Sequence, residues 1–514
     1  MSPGGHAFLD ASRLRRALLH FLAGKGITAP LTFLILLMLV RWMPLADYGA
    51  YVTSLAIIEI AIALSDLGIS WVATRFLPAY AVAATQAALS RITLLVIAAR
   101  ALTLGVVALI LWQFAAVAAR MAGLEAYVAG IGVAAALLAV DGLGRFVRDV
   151  VLQSLLLQGR AQLANMCRTV LFAGLLALAW WQLGAALDLR TVLLIELGAA
   201  LASALLALGM LLQALARREA TPQPGWSPPE LARLVRLAWP NYVGVLLMYI
   251  SGGDGITMLI NRAIGPDGAA AFGVARNLAN QLRRYLPSEL FVGVLRPAII
   301  ASYELSRDFA ALNRQAQSLY KTSLVALLPI LGIAAGLGGA WLNLITGGKT
   351  DNAHVLLLLM VCLLVPFTQR RVLEMVINTV DCADLWLRAA LASCLVLPLA
   401  AVLLHFGAGA ELLVAVMLAG EIGTNGLIVH GLHVRQWPYR VALARSALTV
   451  ALCVGIGLAV WLALPARMSL LSLLGTSVLL AAGALALGWR LRVLDESELA
   501  LLRSALRRSP KTNE

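Results

Sequence analysis

Runs of about 20 apolar residues recur along the whole chain, and their length matches a helix that crosses the hydrocarbon core of a membrane. A window of that length finds fourteen spans, with cores at 20–40, 48–70, 92–116, 124–144, 163–183, 191–213, 237–261, 270–292, 322–345, 354–377, 388–406, 411–432, 442–464 and 468–489. Only 13% of the residues are charged, whereas a soluble domain has about a quarter. We therefore predict an all-α polytopic membrane protein with fourteen transmembrane helices.

The basic residues predict which ends of these spans face the cytoplasm. If the N-terminus is cytoplasmic, the outer loops hold six of the forty Lys and Arg residues, and the other thirty-four lie in or near inner segments. The six are Arg41, Arg120, Arg190, Arg262, Lys349 and Arg467. Because Lys and Arg accumulate on the cytoplasmic side, both termini are predicted to be cytoplasmic. The same bias explains the net charge of +14, so nucleic acid is not a predicted partner.

Matching residues in the two halves of the chain predict an internal repeat. Arg41 and Arg262 are 221 positions apart, and Arg168 and Arg388 are 220 apart. Two six-helix lobes would have the same orientation, because six is even, and such parallel repeats are typical of transporters with a substrate site between the lobes. The predicted parts are an N-lobe at 1–216, a cytoplasmic linker at 217–236, a C-lobe at 237–436, two extra helices at 437–490 and a basic cytoplasmic tail at 491–514.

The second span contains two carboxylates, Glu59 and Asp66, which are seven positions apart and therefore share a helical face. A charge at the centre of a membrane costs at least about 2.5 kcal/mol, so both are candidates for a functional role as coupling or counter-ion groups.

The eighth span has the opposite charge. Arg276, Asn280, Arg283 or Arg284, and Pro287 follow helical spacing and form one stripe. Its four polar residues are the predicted substrate-binding residues. The distances from Tyr48 to Glu59 and from Phe272 to Arg283 are each 11 residues, which predicts a similar depth for Glu59 and Arg283 near the midplane.

Two interpretations of these charges stay open. In the first, the carboxylates of the second span neutralise the arginines and serve only the structure. In the second, the guanidinium groups bind an anion such as a pyrophosphate, whose oxygens they can contact in pairs. Glu59 is then the counter-charge of Arg283 and is released or protonated when the substrate arrives.

The seventh span has glycines at 252, 253 and 255 around Asp254. These glycines should loosen the helix, and broken helices are tolerated where they line a cavity. Asp254 is interpreted either as a proton or cation site or as the ionic partner of Arg276.

Three segments resemble those of a known transporter family. They are ADYGAY at 46–51, LSDLGISWVATRFLP at 64–78 and LLLQGRAQLANMCRTVL at 155–171. The chain resembles polysaccharide and O-antigen flippases of the multidrug/oligosaccharidyl-lipid/polysaccharide (MOP) exporter superfamily. This resemblance implies a V-shaped transporter of the bacterial inner membrane, with a central cavity lined by spans 1, 2, 7 and 8. It also implies a lipid-linked oligosaccharide as substrate.

The expected function is translocation of an undecaprenyl-pyrophosphate-linked O-antigen, capsule or exopolysaccharide repeat unit to the periplasmic leaflet. A flippase for the peptidoglycan precursor lipid II has a similar plan and is the nearest alternative. A drug or cation antiporter takes cationic substrates, for which an arginine stripe has the wrong sign. A polymerase or ligase usually needs larger outer loops, and a non-transport subunit of a polysaccharide synthase complex is a further alternative.

The expected partners follow from this function. They are the lipid-linked oligosaccharide, membrane lipid, a proton or sodium ion, and the polymerase and chain-length proteins of a polysaccharide pathway. The five cysteines lack the spacing of metal ligands, and no metal, cofactor or catalytic residue is predicted.

Overall fold

A computed structural model describes the chain as helices joined by short turns. The described residues are 11–184, 187–217, 230–290, 299, 303, 306–350, 353–380, 382, 384–440, 443–464 and 468–495, and none of them forms a strand. Long apolar helices are the expected outcome, because a helix satisfies its own backbone hydrogen bonds in a medium without water. The predicted all-α membrane fold is confirmed.

The first eight helices cover the N-terminal part of the chain. They are α1 (Ala11–Trp42), α2 (Leu45–Leu64), α3 (Ile69–Ala83), α4 (Gln86–Gln113), α5 (Ala115–Ala122), α6 (Val128–Arg145), α7 (Gln158–Leu183) and α8 (Leu189–Ala216). A 3₁₀ turn (Glu125–Tyr127) precedes α6, and a π-helical segment (Phe146–Leu152) follows it directly.

The remaining helices cover the C-terminal part. They are α9 (Leu231–Ser251), α10 (Gly253–Ala263), α11 (Pro266–Arg283), α12 (Phe309–Thr346), α13 (His354–Thr379), α14 (Asp384–Ser393), α15 (Val396–His405), α16 (Ala410–Val434), α17 (Leu443–Ala463) and α18 (Leu470–Arg490).

Twelve helices in the described part of the chain are long and apolar enough to cross a membrane. The predicted count of fourteen is therefore not confirmed. The two predicted spans outside this group lie on α1 and α11. The apolar stretch found on α1, Thr28–Trp42, is short, and α11 carries many polar residues.

The contacts between helices divide the chain into two compact units. The first unit comprises Met1–Val274 and Ser393–Gly409, and the second comprises Ala275–Ala392 and Ala410–Glu514. The predicted lobes and extra helices stay predictions. Most of the predicted linker, at 218–229, and the tail from 496 onward lie outside the described residues.

Within the first unit, α6 is the central helix and packs against α2, α4 and α8, while α7 packs against α1 and α8. Within the second unit, α12 has this role and packs against α13, α17 and α18. Side chains from α2, α6, α7 and α8 therefore can meet inside the first unit. Those from α13, α16 and the part of α11 that begins at Ala275 lie in the second.

The predicted second span is interrupted, so the expectation of one continuous helix was wrong. α2 ends at Leu64 and α3 begins at Ile69, with Leu67 and Gly68 at positive φ in the turn between them. A Cβ on Gly68 would lie 2.6 Å from the Cβ of Ala238, so glycine suits this turn by both conformation and space. Asp66 therefore lies in a turn and not on the helical face of Glu59.

The predicted weakness of the seventh span is confirmed. α9 ends at Ser251 and α10 begins at Gly253. A Cβ on Gly255 would lie 1.7 Å from the carbonyl oxygen of Ile250, so the break admits no side chain there.

The predicted eighth span also ends early. α11 stops at Arg283, and the chain turns through 284–286 before a short helical stretch at 287–290. Pro287 explains this end, because the residue before a proline disfavours the helical conformation. Arg276, Asn280 and Arg283 share one face of α11, whereas Arg284 lies in the turn. The prediction of a single stripe through Pro287 was therefore wrong.

Candidate functional site

Three carboxylates and three arginines form one connected network inside the first unit. We call it the first-unit network, and its members are Glu59, Asp141, Arg145, Arg148, Arg168 and Glu196. Charges on spanning helices are costly unless they are paired, and here the six formal charges sum to zero.

Asp141 is the centre of this network and is 1% exposed. Its carboxylate accepts a hydrogen bond from Nε of Arg145 at 2.7 Å and another from Nε of Arg168 at 3.0 Å. A third guanidinium, that of Arg148, approaches to 3.9 Å. One buried carboxylate thus holds three arginines from α6, the π-helical segment and α7.

Arg168 extends the network to α8. Its Nη2 donates to Oε1 of Glu196 at 2.7 Å, and the hydroxyl of Tyr51 donates to the other oxygen of Glu196 at 2.9 Å. Both Glu196 and Tyr51 are buried. This end of the network is therefore closed from solvent and both oxygens of Glu196 have a donor.

The opposite end of the network is accessible. Nη1 of Arg145 donates to Oε1 of Glu59 at 2.5 Å, and the side chains of Arg145 and Glu59 are 33% and 26% exposed. Since Asp141 holds Nε of the same guanidinium, Arg145 joins the buried centre to the exposed edge.

The π-helical segment positions Arg148. Its Nη1 donates to Oγ of Ser203 at 3.0 Å, and that hydroxyl donates to the carbonyl oxygen of Ala164. Nε of Arg148 is buried without a hydrogen-bond partner among the described residues. A π-helical turn inside a spanning helix often marks a functional site, since it shifts side chains out of helical register.

A second group of charges lies in the second unit. We call it the second-unit network, and it comprises Arg283, Arg370, Arg371, Glu289, Glu374 and Glu421, together with the ring of Phe367. Its three arginines face three carboxylates, and Arg276 and Arg284 lie close enough to Arg283 to interact with it electrostatically.

Phe367 orders two of these arginines. The guanidinium of Arg283 lies over its ring at 5.7 Å from the centroid, and that of Arg370 lies at 4.6 Å. Arg370 also pairs with Glu421. Arg283 is 3.9 Å from Glu289 and is 39% exposed, so its position is set mainly by the aromatic ring and leaves the guanidinium accessible.

Arg371 links the remaining acids of this network. It lies 3.1 Å from Glu374 and 3.6 Å from Glu289, and it is 42% exposed. These pairs are more exposed than those around Asp141, so each contributes less to stability.

Asp66 and Asp254 occupy other positions in the first unit. Asp66 accepts a hydrogen bond from Oγ of Ser70 at 2.5 Å and lies 3.6 Å from Arg100. Arg100 is 3% exposed and donates to the carbonyl oxygen of Ile62, so this group caps the end of α2. Asp254 is buried in the first turn of α10.

The ion partners in the structure differ from the pairing that we predicted for Glu59 and Arg283. Glu59 pairs with Arg145 in the first unit, and Arg283 pairs with Glu289 in the second. The functional roles assigned to Glu59, Asp66, Asp254, Arg276, Asn280, Arg283 and Arg284 stay predictions.

Sequence reasoning missed several members of these contacts. Tyr51, Glu196, Glu289 and Phe367 were not singled out, and Arg168 served only as a repeat position. Glu196 had a usable signal, since it is an isolated carboxylate in the apolar run TVLLIELGAA. Nothing in the sequence marked Tyr51, whose role depends on the packing of α2 against α8.

The accessible charged groups of the two networks include guanidinium groups, at Arg145, Arg283 and Arg371. No group of three or more His, Cys, Asp or Glu side chains is arranged to hold a metal ion in the described residues. Accessible guanidinium groups, in contrast, bind phosphate oxygens through paired hydrogen bonds.

Solved structures with this fold are transporters. A structure described as "Lipid II flippase MurJ, inward closed conformation" aligns with a TM-score of 0.65 and 9% identity over 95% of this chain and 99% of that one. An inward-facing multidrug resistance MATE transporter of the MOP superfamily aligns with a TM-score of 0.53 and 14% identity over 85% and 98%. A structure of the MATE multidrug transporter DinF-BH aligns with a TM-score of 0.54 and 14% identity over 85% and 98%.

These likenesses establish the fold. No curated protein sequence matches the chain. The family described as "Polysaccharide biosynthesis protein" does match, over residues 14–300, which is more than half of the chain. With its helical membrane fold shared with MOP-superfamily transporters, the chain belongs to the polysaccharide biosynthesis protein family.

Proposed function

We propose that the protein is a flippase that moves an undecaprenyl-pyrophosphate-linked oligosaccharide from the cytoplasmic to the periplasmic leaflet by alternating access. Its substrate is an O-antigen, capsule or exopolysaccharide repeat unit. It works in the bacterial inner membrane with both termini in the cytoplasm, as a transporter and not as an enzyme.

The observation that carries this proposal is the exposure of guanidinium groups in the second-unit network of a polysaccharide biosynthesis protein. Arg283 and Arg371 are each about two-fifths exposed, and their contacts with Glu289 are 3.9 and 3.6 Å long. A diphosphate complements exposed guanidinium groups, whereas a cationic drug does not. Arg276, Asn280, Arg283 and Arg284 bind the diphosphate in this proposal.

The carboxylates of the first unit supply the energy coupling in the same proposal. Glu59, Asp66 and Asp254 are the coupling or counter-ion groups, for a proton or a sodium ion. The polymerase and chain-length proteins of the pathway receive the product on the periplasmic side.

Replacing Arg283 with alanine tests the proposal. In cells that depend on this protein, Arg283→Ala should lower surface polysaccharide at least about tenfold, the loss expected for one charge-assisted contact, while the variant stays in the membrane. Arg314→Ala is the matched control, because Arg314 is 71% exposed near the start of α12. Normal surface polysaccharide in Arg283→Ala would contradict the proposal.

A lipid II flippase is the second candidate, favoured by the TM-score of 0.65 to a protein with that description. Proteoliposomes separate the two. Transbilayer movement of an undecaprenyl-pyrophosphate-linked oligosaccharide but not of lipid II supports the first function, and the reverse result supports the second.

A further inference from the structure

The first-unit network has an exposed edge, at Glu59 and Arg145, and a buried part, at Asp141 and Glu196. Asp141 and Glu196 are 1% and 5% exposed, and each receives strong donors from neighbouring helices. Glu59 and Arg145 are 26% and 33% exposed. An exchange of ionic partners is therefore possible at this edge without unfolding the centre.

Arg145 is held in place independently of Glu59. Its Nε donates to Asp141 at 2.7 Å, and the distal Nη1 donates to Glu59. A guanidinium has five N–H donors in a rigid fork, so its distal edge can contact two oxygens of one anion. The carboxylate of Glu59 occupies the position where such an anion would bind.

The charge balance depends on Glu59. With Glu59 ionised, three carboxylates and three arginines sum to zero. With Glu59 protonated, two carboxylates remain against Arg145, Arg148 and Arg168, so the network has a charge of +1 with its accessible cation at Arg145. Glu59 pairs with Arg145 of α6. The elements packed against α2 also carry Asp141 on α6, Arg100 on α4, Glu196 on α8 and Asp254 on α10, and Tyr51 lies on α2 itself.

We infer that Arg145 forms an anion site of the diphosphate class in the first unit, and that Glu59 is the internal carboxylate which the anion replaces when Glu59 takes up a proton. The site is additional to the diphosphate-binding residues of α11 in the proposed function and does not depend on them. By linkage, protonation favours the anion and the anion favours protonation to the same extent. Anion binding at this site therefore takes up a proton.

Binding of inorganic pyrophosphate to the purified full-length protein tests the site. Glu59→Gln mimics the protonated carboxylate, so it should bind pyrophosphate at least about tenfold more tightly than wild type at neutral pH. The gain should shrink as the pH is lowered, because a proton on Glu59 makes wild type equivalent to the variant. Because the two proteins are compared at the same pH, protonation of pyrophosphate itself affects both affinities equally. Equal affinities of the two proteins at every pH would overturn the inference.

Proton uptake is an independent readout. Sulfate is a tetrahedral dianion that stays fully ionised from neutral to mildly acidic pH. When sulfate is added to the protein in weak buffer, any proton that is taken up is therefore bound by the protein. Wild type should take up protons and Glu59→Gln should not. Uptake that is the same in both proteins would contradict the role of Glu59.

Control variants separate this site from others. Arg145→Lys keeps the charge beside Asp141 but loses the fork, so in the Glu59→Gln background it should remove the tenfold gain. Glu125→Gln removes an exposed acid 3.5 Å from Arg262 in the same unit and should change nothing. In an Arg283→Ala background, Glu59→Gln should still raise the affinity for pyrophosphate. A result against the proposed role of Arg283 is therefore distinguishable from a result against the Arg145 site.

The source of the anion is resolved by a second ligand. Farnesyl diphosphate carries the same diphosphate on a short lipid. The site is assigned to a lipid head group if the affinity for farnesyl diphosphate depends on Glu59 and exceeds that for pyrophosphate. Equal affinities for the two ligands assign the site to a free anion. Binding of neither would overturn the inference.

Discussion

The two charged networks differ in exposure and in the length of their contacts. The first-unit network pairs three carboxylates with three arginines around Asp141, which is almost inaccessible. The second-unit network also pairs three glutamates with three arginines, but its contacts at Glu289 are 3.6 and 3.9 Å long and partly exposed. One is organised around a buried anion, and the other around the ring of Phe367 with accessible guanidinium groups.

This difference indicates two kinds of role. Short, buried and balanced ion pairs hold helices together, because the loss of one partner leaves an uncompensated charge inside the protein. Long, exposed pairs contribute little to stability and leave donors for a ligand. We therefore propose that the first network is structural except at its Glu59 edge and that the second binds a ligand. The following variants test this contrast, from the largest effect to the smallest.

Asp141→Asn should cause the largest loss of stability. The change leaves three guanidinium groups around a neutral amide, which should lower the free energy of unfolding by about 3–5 kcal/mol. Unfolding in mixed detergent and SDS micelles measures it. Glu125→Gln is the control, because it makes the same change of carboxylate to amide at a residue of the same unit that is 51% exposed. Equal stability of both variants would contradict a structural role for the first-unit network.

Arg168→Lys and Arg371→Lys compare the networks directly. Arg168 uses Nε and Nη2 to bridge Asp141 and Glu196, which a lysine cannot do, so a loss of about 2–3 kcal/mol is expected. Arg371 is 42% exposed, and its replacement should cost less than about 1 kcal/mol. Similar losses in the same unfolding measurement would remove the distinction between the two networks.

Tyr51→Phe should have a moderate effect. It removes the donor to Oε2 of Glu196 at 2.9 Å, and a hydrogen bond to a buried charge contributes about 1.5 kcal/mol or more. Tyr285→Phe, at a residue that is 38% exposed, provides a control with the same chemical change. If Tyr51→Phe is as stable as this control, the hydrogen bond from Tyr51 to Glu196 does not contribute to the stability of the network.

Glu289→Gln should have the smallest effect on stability. Its two ion pairs, with Arg283 and Arg371, are long and partly exposed, so the expected cost is less than about 1 kcal/mol. The same change removes one negative charge beside Arg283 and Arg371 and should strengthen pyrophosphate binding to the second-unit network. A large loss of stability without stronger binding would show that this network is structural as well.

The membrane fold could be predicted from the sequence, but the ends of its helices could not. Apolar runs identify spans because a buried backbone must form its own hydrogen bonds. The break after Leu64 and the end of α11 at Arg283 depend on local conformation, at Gly68 and before Pro287. A hydropathy window averages over such single residues.

The charged residues themselves were visible in the sequence, since an ionisable group in an apolar run is conspicuous. Glu59, Asp66 and the arginines of α11 were found in this way. Their partners were not, because Glu59 and Arg145 are 86 positions apart and Tyr51 and Glu196 are 145 apart. Helical spacing relates residues on one helix and says nothing about which helices are neighbours.

The sequence by itself therefore determined the class of fold, the superfamily that the chain resembles and the residues whose charge needs an explanation. Those properties follow from composition and from distances along one helix. Only the tertiary structure decided that Asp141 holds three arginines, that Glu59 pairs with Arg145 and that Phe367 orders Arg283. Such contacts depend on helix packing, which brings distant segments within hydrogen-bonding distance.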